Sequence, residues 1–89
     1  MNEPEITAAE AARKAARFAA CAEEAHEALE AFRLGNLQAT AERGFSQARI
    51  AELRKTVDDM AQVRDELINV ANMWANVAGA LHLVEGEKP

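Results

Sequence analysis

Along almost the whole chain, apolar residues recur at spacings of three and four. One seam runs through Ala8, Ala11, Ala15, Phe18, Ala22, Ala25, Leu29 and Phe32. A second runs through Ile50, Leu53, Val57, Met60, Leu67, Ala71, Trp74, Ala78 and Leu81, with Arg64 as a polar interruption. This spacing lines up side chains on one face of an α-helix, turn after turn. Alanine, the best helix former, accounts for 21 of the 89 residues, tyrosine is absent and β-branched residues are few. The class is all-α. Because the first seam is mostly alanine, the two helix axes can approach toward the short end of the usual range of about 8–10 Å.

The ends of the helices carry local signals. Thr7-Ala8-Ala9-Glu10 fits a capping box, in which the threonine hydroxyl and the glutamate carboxylate serve backbone donors freed in the first turn. Leu34-Gly35-Asn36 supplies the glycine that helices commonly place just past their last turn. Ser46 can cap a second helix, with Phe45 and Ile50 at the two positions of a hydrophobic staple. The predicted layout is a single helical domain. Helix one covers about 7–33, a connection covers 34–45 with room for a short helix over 37–43, helix two covers about 46–84, and 85–89 form a frayed tail. Joined by a short connection, the two helices must run antiparallel as a hairpin.

From residue 67 to residue 84 the chain has no charged residue, although charged residues make up 28% of the whole. With helix one ending near Arg33, residues 73–84 lie beyond anything the first helix can cover, an overhang of roughly 18 Å at 1.5 Å per residue. It carries Trp74, Val77, Leu81 and Val84, and beside the main seam Val63, Val70, Val77 and Val84 recur every seven residues. A chain of this size buries only about 60% of the surface its unfolded form exposes, and with one cysteine it has no internal disulfide. A homodimer answers both problems: two hairpins form a four-helix bundle with Val63, Leu67, Val70, Trp74, Val77, Leu81 and Val84 in the interface. A kink at Gly79 that folds the end back over helix one is the intramolecular alternative.

The sequence offers little to chemistry. The net charge of −5 and the pI near 5.0 argue against nucleic-acid binding. The acidic first residues, followed by an alanine-rich stretch with Glu10, Arg13, Lys14 and Arg17, do not read as a signal peptide, so a cytoplasmic location is expected. Three asparagines, a histidine and a glycine within 67–84 disfavour a membrane span. Glu23, His26 and Glu30 contain the Glu-x-x-His pattern of carboxylate-rich metal bundles, but the partner helix does not repeat it, and a metal site is a secondary reading. No nucleophile–base constellation and no glycine-rich phosphate loop is present, so neither an enzyme nor a cofactor is expected. Cys21 reads as a small apolar filler, and His82 as a group hydrogen-bonded at an interface.

The charged residues have mainly structural readings. The acidic run Glu23, Glu24, Glu27, Glu30 reads best as a solvated flank, with a nucleic-acid mimic as its functional alternative. Arg54 and Lys55 are placed to pair with Asp58 and Asp59 at i, i+4. Arg64 on the seam either fixes register by pairing with acids of a neighbouring helix, or is displaced as the helix rotates Val63 inward. Asn69, Asn72 and Asn76, with Met73 beside them, stand where an exposed helix would carry Glu and Lys: either the core of the dimer wraps this end completely, or they form the candidate surface for a protein partner. In outline the hairpin is similar to the plasmid copy-control four-helix bundle and to secreted W-x-G hairpins. Trp74-Ala75-Asn76 lacks the glycine of the latter's turn, and no functional residue carries over. The expected function is a small acidic protein–protein interaction module, acting as an adaptor, assembly factor or inhibitor. Accessory proteins of phages or plasmids, such as inhibitors of host defence systems, share its size and acidity.

Overall fold

In a computed structural model that describes residues 6–86, the chain forms two long helices, α1 (Ala8–Arg43) and α2 (Gln47–Gly86), packed side by side as a hairpin. The predicted all-α hairpin is therefore present. Its start follows the capping signal: Thr7 is extended, and its side chain accepts a hydrogen bond from the Glu10 amide at 3.1 Å. Ser46 serves α2 in the same way, its Oγ accepting from the Arg49 amide at 3.2 Å. Both caps satisfy donors that a first helical turn would leave bare.

The boundary predicted at Gly35 is corrected. α1 runs through Gly35 without a break, so neither the connection over 34–45 nor a separate helix over 37–43 exists. A lone glycine costs a helix about 1 kcal/mol against alanine, which is less than the packing on either side returns. The seam continues past it, with Asn36 and Ala39 half-buried in line with Phe32. The Asn36 side chain donates to the Phe32 carbonyl at 2.8 Å, and the Thr40 hydroxyl donates to the Asn36 carbonyl at 2.7 Å, so local polar groups bond along the helix instead of ending it. The terminating glycine is Gly44, with φ 68°, whose amide donates to the Thr40 carbonyl at 2.9 Å. Three residues, 44–46, reverse the chain.

Ten more residues in helix one lengthen it by about 15 Å, which removes the expected overhang. The two helices now match in length, 36 and 40 residues, and the amide of Ala8 donates to the Glu85 carboxylate at 2.8 Å. α2 also continues through Gly79, so its end does not fold back. Of the predicted tail, Glu85 and Gly86 belong to α2 and 87–89 lie outside the described residues. Contacts between Ala8 and Glu85, Lys14 and Trp74, and His26 and Arg64 define the register: residues at one level have numbers adding to about 90.

The result is a rod, 68 × 21 × 17 Å, with one layer of contact along its length. Every predicted seam residue is at least half-buried, but among the described residues only Ala11, Ala22, Leu29 and Ala71 are fully so. Leu29, at 1% exposure, is the one large side chain completely enclosed among the described residues. Two helices enclose a seam from two sides only, and the flanks of each large side chain stay in water.

Candidate interaction surface

With seams facing one another, each helix adds residues to two flat sides of the hairpin and keeps an outward back. One flat side carries the valine stripe Val63, Val70, Val77 and Val84 from α2. Alongside it, at the corresponding heptad positions of α1, lie Lys14, Cys21, Ala28 and Gly35. Val70 and Val77 are half-buried, whereas Val63 and Val84 are 54% and 53% exposed. Leu67, Trp74 and Leu81 edge the same side from the seam, so the structure brings all seven predicted interface residues onto one face. The Lys14 ammonium lies 5.2 Å from the centre of the Trp74 ring, a cation–π contact that covers part of the indole. Cys21, expected as a buried filler, is exposed on this side.

The opposite flat side is polar at its middle. A groove there is lined by Ala22, Glu23, His26, Arg64, Asp65 and Ile68. Arg64 keeps its place on the seam, and Val63 is not rotated inward. Its guanidinium reaches Asp65 of its own helix at 3.1 Å and donates to His26 Nδ1 across the hairpin at 3.2 Å, rather than pairing with a carboxylate of α1. A cationic group beside His26 opposes a metal ion at Glu23, His26 and Glu30, and no three potential metal ligands converge among the described residues. Farther toward the turn, a shallow apolar groove of about 400 Å³ lies between the helices, lined in part by Leu34, Leu37, Ile50, Leu53 and Val57. Sequence reasoning missed it, because Leu34 and Leu37 fall in the predicted connection, outside both seams.

The chain matches no protein-family model, no curated protein and no solved structure.

Its remaining distinctive surface is the back of α2 over 67–84. Asn69, Asn72, Met73 and Asn76 all lie there in solvent, together with Gly79, Ala80 and Leu83, and none of this surface is covered by α1. Met73 is 48% and Leu83 69% exposed. His82 is exposed as well. α2 has the length and composition of a membrane-crossing helix, with a mean hydropathy of 1.3 in its most apolar 18-residue window.

Charges occupy the other backs. Glu23, Glu24, Glu27 and Glu30 of α1 fall at the same level as Asp58, Asp59, Asp65 and Glu66 of α2, and within those two spans Arg64 is the one Lys or Arg. The rod thus has an acidic waist. Toward the turn the balance reverses, with Arg33, Arg43, Arg49, Arg54 and Lys55 against Glu42 and Glu52. The ion pairs formed among the described residues are short-range ones, Glu30–Arg33, Arg49–Glu52 and Arg64–Asp65; Arg54 and Lys55 do not pair with Asp58 and Asp59.

Proposed function

We propose that this chain is a small acidic protein–protein interaction module that acts in the cytoplasm as a homodimeric four-helix bundle and offers the back of α2 to a second protein, as an adaptor, assembly factor or inhibitor. One observation carries the reading: over eighteen consecutive residues α2 has no charge, and the half of it that faces away from α1 is bare. A helix back that served only solubility would carry Glu and Lys, as the same helix does over 47–66. Neutral asparagines flanking Met73 and Leu83 can form hydrogen bonds at an interface without the desolvation that a buried charge demands.

The homodimer is supported by exposed surface. Among the described residues only Ala11, Ala22, Leu29 and Ala71 are buried, and Val63 and Val84 on the valine-bearing side are 54% and 53% exposed, an apolar side that a second copy would cover. Light scattering at micromolar concentration tests this and is expected to give about twice the mass of the chain; the mass of a single chain removes the homodimer from the proposal. The apolar window of α2 makes a lipid surface the competing partner. Flotation with neutral and anionic vesicles decides between them: the chain is expected to stay with the soluble fraction, and co-flotation would replace the protein partner with a membrane.

A further inference from the structure

The valine-bearing flat side has a relief that fits its own copy in one orientation. At three successive levels of the rod, α2 contributes the larger side chain and α1 the smaller: Val63 stands level with Ala28, Val70 with Cys21 and Thr56 with Gly35. At the next level from the turn Lys14 reverses this beside Val77, its ammonium turned onto the Trp74 ring. Gly35 has nothing within 4 Å of the place a side chain would occupy. The face is a ridge on the α2 side and a trough on the α1 side. None of the eight waist carboxylates occupies the ridge or trough positions; Glu24, Asp59 and Glu66 lie one position outside them, so like charges meet only at the watered rim of the paired sides. The other flat side is flanked by four of them, Glu23, Glu30, Asp58 and Asp65, and Glu23 and Asp65 line its central groove.

Resting on the homodimer reading above, we propose that two hairpins join through this face about a two-fold axis parallel to the rods, turn beside turn. Such an axis sets α2 of each subunit over α1 of the other and keeps every level in register. Val70 then enters the trough at Cys21 of the partner subunit, Val63 the trough at Ala28 of the partner subunit, and Thr56 the gap above Gly35 of the partner subunit. Near the turn the same axis places Arg49 against Glu42 of the partner subunit, an opposite-charge contact made twice at that end of the dimer. A two-fold perpendicular to the rods would instead stack ridge on ridge and trough on trough, spreading the α2 helices while the α1 helices touch. Interior-like packing density rules against that wedge.

Cys21 is the sole thiol of the chain and is exposed in the single hairpin, which makes it a probe of the axis. With the axis along the rods, the two Cys21 residues share one level and are separated by about one interhelical spacing, roughly 8–10 Å. With the perpendicular axis through the middle of α1 (Ala8–Arg43) they lie about nine residues apart along the bundle, about 14 Å. The experiment treats the full-length protein with a bismaleimide spanning about one interhelical distance, reads covalent dimer under denaturing conditions, and measures the untreated mass by light scattering. Dimer mass with most of the chain cross-linked is the expected result. Dimer mass without cross-linking overturns this arrangement and leaves the homodimer standing, whereas single-chain mass overturns the homodimer itself. A paired substitution adds a second readout: Val63→Glu, at an exposed ridge position, is expected to abolish the cross-link, and Ala48→Glu on the back of α2 to leave it unchanged. Equal cross-linking in both variants would also overturn the arrangement.

Discussion

Gly44 and Gly79 show how one residue type does opposite things at two places. Gly44 ends α1 at φ 68°, a conformation that costs residues with a side chain about 1–2 kcal/mol. Gly79 lies inside α2 with ordinary helical geometry and open space around it. Gly44→Ala is therefore expected to lower the melting temperature, and Gly79→Ala to raise stability by about 0.5–1 kcal/mol, both measured by thermal denaturation followed by helical circular dichroism. Thr7 is a third local determinant. Replacing it with alanine removes the hydroxyl that accepts from the Glu10 amide, and a loss of about 1 kcal/mol is expected in the same measurement.

At the scale of the helices, the seam is legible but its depth is not uniform. Leu29 packs where the hairpin is most enclosed, and Leu29→Ala is expected to cost about 2–5 kcal/mol, enough to unfold a hairpin with so small a core. The corresponding test is urea denaturation, in which a midpoint unchanged from the parent chain would show that Leu29 is not central. Arg64 has a different part on the same seam. Half-buried between Met60 and Leu67, it sends its guanidinium to the one side where His26 accepts, among the carboxylates of the waist. Gly35 is the corresponding lesson for α1. A glycine is a strong stop signal only where the residues after it cannot extend the seam, and here Asn36 and Ala39 do extend it.

Over the whole molecule, the waist sets the response to salt. Eight carboxylates, with Arg64 among them and Arg33 paired to Glu30 at their edge, repel one another within a hairpin and again between two hairpins held at equal level. Raising ionic strength from about 0.01 M to about 1 M shortens the screening length from about 30 Å to about 3 Å. Both the melting temperature and the dimer fraction are expected to rise across that range. Weakening of the dimer by salt would mean that attraction between unlike charges, such as Arg49 with Glu42, outweighs apolar contact in holding the copies together.

Much of this was legible from the order of residues alone. The all-α class, both seams, the caps at Thr7 and Ser46, and the grouping of seven residues on one face follow from period and cap chemistry, which are local properties of the chain. Where α1 stops was decided elsewhere. Gly35 and Gly44 carry the same local signal, and only continued packing against α2 distinguishes them. That difference of about ten residues turned a supposed overhang into an evenly matched hairpin with Ala8 beside Glu85. The alignment of Glu23, Glu24, Glu27 and Glu30 with Asp58, Asp59, Asp65 and Glu66 likewise depends on register, which no local pattern contains. Sequence determined which faces are apolar; tertiary structure decided which of them remain uncovered, because burial depends on where the other helix ends.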